Sequence, residues 1–199
     1  MTRVLLVRHG QSEWNADGRW QGQADPPLTD LGRAQAFHAA RALGVVDLIV
    51  ASDLQRAAET AATLSNELGV GPVVLDPDFR ERDAGEWSGL TRAEIDQGWP
   101  GYLDGESRRR PDGWEPDEVL LGRAAKALAT VHQLVPGGEA IAVTHGGLIY
   151  VLEAHFGAPF ERIPNLGARW IEVDDTGLAA LGDRVLLIDE SEVTIPDQI

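Results

Sequence analysis

Two apolar runs in this chain each end in a histidine followed by a glycine. The first, residues 2–7, leads into Arg8 and His9, and the second, residues 140–143, leads through a threonine into His145. Short apolar runs of this kind predict buried strands. In a parallel sheet the carboxyl ends of the strands meet at one edge, where open α/β sheets bind ligands. We therefore expect the two histidines to lie close together in a binding site.

The other apolar runs alternate between strand and helix patterns. Strands are predicted over residues 45–51 and 73–75, and amphipathic helices over residues 29–43, 117–135 and 148–156. Such an alternation indicates an α/β fold built on a parallel sheet.

Two segments depart from this alternation. Residues 96–116 are rich in Gly, Pro, Trp, Asp and Arg, which indicates an irregular insertion within one domain. Residues 168–189 contain two apolar runs, 169–173 and 185–188, around a turn, which predicts a C-terminal hairpin. Because 199 residues suit one α/β domain, we expect residues 1–199 to form a single domain.

Composition limits the partners and the chemistry. With 17 Lys and Arg against 32 Asp and Glu, the net charge of −15 argues against a nucleic-acid backbone or an anionic membrane as partner. An anionic substrate would then require a local cluster of arginines. The chain has no cysteine, which excludes thiolate metal sites and a cysteine nucleophile. With no leader pattern and no apolar stretch long enough to span a bilayer, we expect a cytoplasmic protein.

Arg56 lies in the first turn of a predicted helix. Ser52 and Gln55 have the spacing of a capping box, which predicts that this helix begins there and ends before Gly69. A cation in the first turn opposes the helix dipole, and a bound anion would explain its position. A solvated surface arginine is the alternative interpretation.

These residue types together suit a phosphoryl group. Arg8 and Arg56 could hold phosphate oxygens by charge-assisted hydrogen bonds, and the amides of Gly146 and Gly147 could add donors. His9 would then attack phosphorus, which requires a neutral imidazole. The arginines disfavour its protonation and a bound phosphate favours it, so the sequence leaves the direction of the net pKa shift open.

The polar segment after the third strand supplies a candidate acid. Glu81 could protonate the leaving oxygen and later activate water, with Asp83 and Glu86 as rivals for that role.

Five motifs then occur in order within residues 3–150: Arg8-His9-Gly10-Gln11-Ser12-Glu13-Trp14-Asn15, Leu28-Thr29-Asp30-Leu31-Gly32, Ser52-Asp53-Leu54-Gln55-Arg56-Ala57-Ala58-Glu59-Thr60-Ala61, Glu81 with Gly85-Glu86-Trp87-Ser88-Gly89, and Thr144-His145-Gly146-Gly147. Together they resemble the motifs of the histidine phosphatase superfamily, also called the phosphoglycerate-mutase-like family, and in particular its small phosphatases. The resemblance implies a three-layer α/β/α sandwich on a six-stranded, mostly parallel sheet with one antiparallel strand.

The resemblance also implies roles for individual residues. His9 is similar to the family's phosphorylated histidine and Glu81 to its proton donor. The implied phosphate pocket consists of Arg8, Arg56 and His145, to which the residue-level argument adds Gly146, while Asn15, Gln21 and Gly22 match positions that reach the phosphate or the substrate. The family uses no metal or other cofactor, because its arginines and second histidine neutralise the phosphoryl charge.

The motifs do not separate hydrolases from mutases. The chain is compact and its tail is acidic at residues 189–192, whereas the cofactor-dependent phosphoglycerate mutases carry a longer basic insertion and a mobile tail. A phosphomonoesterase acting on a small sugar phosphate or phospho-acid is therefore favoured over a mutase. A phospho-ligand binding module without catalysis would need the arginines but not His9 and Glu81. A metallohydrolase would have Asp25 and Asp53 as ligands but lacks a compact histidine spacing.

The insertion has two interpretations. The insertion could line a substrate mouth with its aromatic residues Trp99, Tyr102 and Trp114, while its basic run, Arg108, Arg109 and Arg110, binds an anionic group of the substrate. The same residues could instead form a solvated lid that packs on itself. Residues 111–115 also depart from the Gly-Gly-Glu of small family phosphatases, which leaves substrate contacts there open. Homodimer formation through the sheet edge or the hairpin is likewise left open.

Overall fold

The computed structural model describes residues 1–104 and 109–196. Its strands are β1 Thr2–Arg8, β2 Leu48–Ala51, β3 Val74–Leu75, β4 Glu139–Thr144, β5 Gly167–Asp174 and β6 Gly177–Leu186. Its α-helices are α1 Glu13–Ala16, α2 Asp30–Ala39, α3 Gln55–Leu68, α4 Arg92–Gly98, α5 Asp117–Leu134 and α6 Gly146–His155. Short 3-10 turns lie at Ala40–Ala42, Pro77–Phe79, Gly85–Trp87 and Glu190–Glu192.

Within the described residues the strands form one six-stranded sheet in the order β3-β2-β4-β1-β5-β6. The pairs β3-β2, β2-β4 and β4-β1 are parallel, whereas β5 is antiparallel to both β1 and β6. The predicted mostly parallel sheet with one antiparallel strand is thus confirmed.

Two hydrophobic cores cover the two faces of the sheet. Val4 and Leu6 face a core formed with α5 and α6, and Leu5 and Val7 face a core formed with α2 and α3. Successive strand residues point to opposite faces, so a strand covered on both sides must be apolar throughout. This explains the continuous apolar run of β1 and confirms the three-layer sandwich.

The start of α3 differs from the prediction. Ser52 does not cap this helix: its Oγ accepts from Leu54 N (3.2 Å), Leu54 is the capping residue and the helix begins at Gln55. The first-turn amide of Gln55 donates instead to Asp25 Oδ1 (2.6 Å), a carboxylate from a distant loop. The predicted end is confirmed, because Gly69 adopts the left-handed conformation (φ 67°).

Two strands also differ from their predicted bounds. β2 begins at Leu48, and Val45 is 92% exposed. β6 covers residues 177–186 rather than 185–188, because its long pairing with β5 extends into a segment of small and polar residues whose own pattern does not indicate a strand. The turn between the strands is as predicted, with Asp174 Oδ1 accepting from Thr176 N (2.8 Å).

The aromatic residues of the insertion pack against Trp87, which precedes it in the chain. Helix α4 continues to Gly98, and Trp99 and Tyr102 then pack against Trp87, with ring centroids 6.4 and 6.5 Å away. Trp114 also contacts Trp87 (5.5 Å), but it reaches the cavity described below. Arg108 lies outside the described residues. Trp99 and Tyr102 therefore do not form a lid that packs on itself, because their partner Trp87 lies outside the insertion, and a substrate mouth at Trp114 stays a prediction.

Among the described residues, none of the helices combines the length and the apolar character needed to cross a bilayer.

Candidate active site

The sheet register brings the two histidines together. Arg8 at the end of β1 pairs with Thr144 at the end of β4, so the residues that follow them, His9 and His145, are neighbours. Their ring centroids are 5.1 Å apart, and both side chains are buried. The proximity expected from the two strand ends is therefore observed.

The hydrogen bonds of His9 fix its tautomer. Its Nδ1 lies 2.6 Å from the carbonyl oxygen of Gly10, which can only accept, so Nδ1 carries the proton. The lone pair is then on Nε2, which accepts a hydrogen bond from Arg56 Nε at 3.2 Å. Nε2 is therefore the ring nitrogen that could act as a nucleophile.

Burial keeps both imidazoles neutral. It lowers the pKa of His9 well below the usual range, and the positive charges of Arg56 and Arg8 act in the same direction. Burial also lowers the pKa of His145 well below its usual range, again with help from Arg56. In the free site, the direction that the sequence left open is thus downward, and His9 keeps its lone pair at neutral pH.

Two buried arginines place fixed positive charge beside His9. Arg56 donates from Nη1 to Ala24 O (2.7 Å) and from Nη2 to Gly22 O (2.9 Å), and Arg8 donates from Nη1 to Ile163 O (2.6 Å). Burial lowers the pKa of Arg56 to about 10, so it stays protonated at neutral pH. Arg56 has no exposed surface, which rules out the interpretation as a solvated surface arginine.

Three buried nitrogen atoms at the site have no hydrogen-bond partner within the described residues. They are Nε of Arg8 and both ring nitrogens of His145. Buried polar atoms of this kind cost free energy unless a ligand or water satisfies them. The oxygen atoms of an anion could accept from Arg8 Nε and from the one ring nitrogen of neutral His145 that carries a proton.

Glu81 is held by two backbone amides. Its Oε1 accepts from Arg82 N (2.7 Å) and its Oε2 from Gly147 N (3.1 Å), the first turn of α6. A Cβ at Gly147 would collide with this carboxylate and displace it, so glycine at this position leaves room for Glu81. The rivals Asp83 and Glu86 are exposed and do not line the cavity that Glu81 shares with His9.

The family comparison agrees with this geometry. The family model of the histidine phosphatase superfamily (branch 1) matches residues 4–181. The chain belongs to the histidine phosphatase superfamily.

Similar proteins include phosphatases and a mutase-like protein. The glucosyl-3-phosphoglycerate phosphatase of Mycolicibacterium vanbaalenii is 39% identical over 192 residues, which cover 86% of this histidine phosphatase and 83% of the relative. Phosphoglycerate mutase-like protein 4 of Arabidopsis thaliana is 35% identical over 154 residues (73% and 67%). The structure of a mycobacterial glucosyl-3-phosphoglycerate phosphatase in complex with VO3 has a TM-score of 0.81 and 33% identity, covering 90% and 96% of the two chains.

The predicted site residues of this histidine phosphatase gather around one cavity. Six of them line it: Arg8, His9, Asn15, Gln21, Gly22 and Glu81. Arg56, His145 and Gly146 are buried and contact residues that line it: Arg56 and His145 contact His9, and Gly146 contacts Arg8. Of the two glycines considered as amide donors, Gly147 lines the cavity and its N–H donates to Glu81, whereas Gly146 packs against the Arg8 guanidinium.

The Gln21-Gly22 turn holds Arg56, one of the predicted phosphate-binding residues. Gly22 has φ 51°, a left-handed conformation that favours glycine, and a Cβ there would lie 2.8 Å from Ala84 N. Its carbonyl is one of the two that hold Arg56. Gln21 Oε1 accepts from Ser12 Oγ (2.7 Å), which ties the turn to the loop after β1.

Sequence reasoning missed four residues that line the cavity: Trp20, Arg82, Ala84 and Tyr150. Tyr150 could have been found, because it lies one helical turn after Gly146 and so shares its face of α6. Arg82 adjoins Glu81 in the chain, which is a weaker signal, and the loop residue Trp20 has no sequence signal of this kind.

The two carboxylates considered as metal ligands have other partners. Asp25 accepts from the amide at the start of α3, and Asp53 pairs with both Nε and Nη2 of Arg80 at 2.6 Å. Over residues 1–104 and 109–196, no group of three or more His, Asp or Glu side chains could hold a metal ion.

Proposed function

We propose that this histidine phosphatase hydrolyses small phosphomonoesters through a phosphohistidine formed on Nε2 of His9, without a metal ion. The observation that carries the proposal is the tautomer of His9. A buried imidazole that donates from Nδ1 to a carbonyl and keeps a lone pair on Nε2 beside two arginines suits attack on phosphorus.

The first step transfers the phosphoryl group to the histidine. The Nε2 lone pair of His9 forms a bond to phosphorus while the bond to the leaving oxygen breaks, and protonated Glu81 gives its proton to that oxygen. Arg8 and Arg56 stabilise the charge on the remaining phosphoryl oxygens, and His145 adds its ring N–H.

The second step regenerates the site. The Glu81 carboxylate accepts a proton from water, the resulting oxygen attacks phosphorus, and the bond to His9 Nε2 breaks. Inorganic phosphate leaves, and Glu81 is again protonated for the next cycle. The alternative of a silent binding module leaves unexplained why the Glu81 carboxylate is fixed at the cavity by two amides.

The proposal is tested with p-nitrophenyl phosphate in excess EDTA. We expect hydrolysis that survives the chelator, is inhibited by vanadate and disappears in His9→Ala, while His155→Ala, which removes an exposed histidine at the end of α6, keeps the activity. Trapped phosphoenzyme should be detected by mass spectrometry in Glu81→Gln. Loss of activity with EDTA, or normal turnover by His9→Ala, would contradict the mechanism.

A groove beside the cavity supports a sugar phosphate or phospho-acid as substrate. Arg82, Trp114 and Tyr150 line both the cavity and this groove, and Arg110 lines the groove. The guanidinium carbons of Arg82 and Arg110 each lie 5.2 Å from the centroid of the Trp114 ring. Cations around an aromatic ring suit a leaving group with both a ring or chain and an anionic part.

The names of the similar phosphatases agree with that substrate class, because glucosyl-3-phosphoglycerate contains a sugar and an acid. The test compares kcat/KM for sugar phosphates, phosphoglycerates and p-nitrophenyl phosphate in Arg110→Ala and in the control Arg109→Ala, whose guanidinium stacks on Tyr102 (4.5 Å). We expect only Arg110→Ala to lose preference for the phosphoglycerates. If the ratios of kcat/KM among these substrates were the same in both variants, Arg110 would have no part in binding the substrate.

The mutase alternative is kept because a similar protein is named phosphoglycerate mutase-like. Interconversion of 2- and 3-phosphoglycerate faster than phosphate release would favour it. We further propose that residues 1–199 act as one catalytic domain. Cytoplasmic location, a homodimer and the lack of a nucleic-acid partner stay predictions.

A further inference from the structure

A buried polar network connects the C-terminal segment to the loop that carries His9. Its side chains are Gln35 on α2, Asn165 before β5, and Thr194 in the tail; Gln35 and Asn165 have no exposed surface. Gln35 donates to Thr194, Thr194 donates to Asn165, and Asn165 donates to the backbone carbonyl of His9, the candidate nucleophile.

The first part of the network has a fixed direction. The backbone N–H of Gln11 can only donate, and it donates to Gln35 Oε1 at 2.9 Å. The amide nitrogen of Gln35 therefore faces the other way and donates to Thr194 Oγ1 at 3.0 Å and to Glu192 O at 2.8 Å. Since the hydroxyl of Thr194 accepts that bond, its single proton is available for the next partner.

The same reasoning sets the direction of the second part. The Thr194 hydroxyl donates to Asn165 Oδ1 at 2.9 Å, so the amide nitrogen of Asn165 points away from the tail. That nitrogen donates to His9 O at 2.9 Å and to Asn15 Oδ1 at 3.2 Å. The oxygen of Asn15, which also accepts from Ser12 N (3.3 Å), is thus held on the protein side.

We propose that Asn165 and Thr194 are positioning residues, which fix the backbone of His9 and turn the amide nitrogen of Asn15 toward the phosphate. Asn15 lines the cavity, and because its oxygen accepts from two donors of the protein, its amide nitrogen is the end that can donate to a phosphate oxygen. A phosphate oxygen requires a donor there, and a flipped amide would present an acceptor. The inference rests on the proposed function, whose phosphoryl group is the ligand.

The backbone next to Asn165 supports this role. Leu166 is a buried non-glycine residue in the left-handed conformation (φ 55°), which is sterically unfavourable and is maintained only by surrounding contacts. Its N–H donates to Arg8 O (3.1 Å), and the N–H of Asn165 donates to Thr194 O (3.0 Å). The segment before β5 is therefore fixed on one side to the end of β1 and on the other to the tail.

The experiment compares Thr194→Val with Thr194→Ser. Valine has nearly the shape of threonine but lacks the hydroxyl, whereas serine keeps it. We expect Thr194→Val to lower kcat/KM for p-nitrophenyl phosphate and to weaken vanadate inhibition, each by about 5- to 100-fold, the effect of leaving buried polar partners unpaired. Thr194→Ser should stay within about twofold of the wild type. Thr130→Val, which removes a hydrogen-bonded hydroxyl on the exposed face of α5, is the control and should have no effect.

Asn165→Asp provides a second variant. It replaces the donor facing His9 O and Asn15 Oδ1 by an oxygen, and we expect a larger loss than in Thr194→Val. Equal losses in Thr194→Val and Thr194→Ser, or a lower unfolding temperature with unchanged kcat/KM and vanadate affinity, would overturn the proposal in favour of simple packing.

Vanadate and phosphate binding, measured by calorimetry, separates this inference from the proposed function. If the wild type binds the anions but hydrolyses no phosphomonoester, the proposed function fails, and the affinities of the two Thr194 variants still test the network. In that case, a wild-type affinity of Thr194→Val for the two anions would overturn the positioning role of the network. A wild type that neither binds nor hydrolyses would overturn both.

Discussion

The buried histidine pair should make the stability of this protein depend on pH. Burial lowers the pKa of His9 and His145 well below the usual range in the folded state, while both return to about 6.5 on unfolding. Below about pH 6.5 the unfolded chain therefore binds more protons than the folded one, so the free energy of unfolding falls as the pH falls. Each histidine contributes about 1.2 kcal/mol between about pH 7 and 5.5, or about 2.5 kcal/mol for the pair.

Urea denaturation between about pH 7 and 5.5 measures this contribution. The variant His9→Asn/His145→Asn removes both titrating groups, so its unfolding free energy should change by about 2.5 kcal/mol less over this range than that of the wild type. Groups common to both proteins cancel in the comparison. His155→Asn, at an exposed position, serves as the control. The same pH dependence in the wild type and the double variant would refute the conclusion that both imidazoles are neutral in the folded state.

Three further predictions concern the residues around the nucleophile. Arg56→Lys should lower kcat/KM about 100-fold, because one ammonium cannot reach His9 and both carbonyls that the guanidinium holds; unchanged kcat/KM would contradict this role. Gly147→Ala should displace Glu81 and slow the hydrolysis of alkyl phosphates, whose leaving group needs an acid, by about 10²- to 10⁴-fold, and that of p-nitrophenyl phosphate by less. The control Gly122→Ala, in open space on α5, should leave both rates unchanged. An equal loss of rate on both substrates would argue against the acid role of Glu81. Gly22→Ala should weaken vanadate inhibition by moving its carbonyl away from the guanidinium, and wild-type inhibition would show that the turn tolerates a side chain.

The sequence predicted the centre of the site because parallel strands impose the geometry. Two apolar runs that end in His9 and His145 had to converge once they became neighbours in one sheet. Arg56 was recognised by its conflict with the helix dipole, and the structure shows it fully buried. Such local signals are sufficient where the fold itself brings residues together.

The supporting structure could not be predicted in the same way. The cap of α3 comes from Asp25, and the orientation of Asn15 depends on Asn165 and Thr194, about 150 residues or more along the chain. Polar side chains of these types usually form local turns and caps, so their sequence neighbourhood does not indicate a distant partner. The extent of β6 likewise depends on pairing with β5 rather than on its own pattern.

The electrostatics of the site let one set of groups serve two stages of the proposed reaction. In the free site burial, together with Arg56 and Arg8, keeps His9 neutral, so Nε2 keeps its lone pair, which accepts from Arg56 Nε, although the protein as a whole is acidic. When Nε2 binds phosphorus, the imidazole gains positive charge, and the bound phosphoryl oxygens offset the arginines that opposed that charge. The hydrogen bond from Nδ1 to Gly10 O becomes charge-assisted at the same moment and stabilises the intermediate. A site with the opposite tautomer would present an N–H to phosphorus. It could bind phosphate, but its histidine could not be phosphorylated on Nε2.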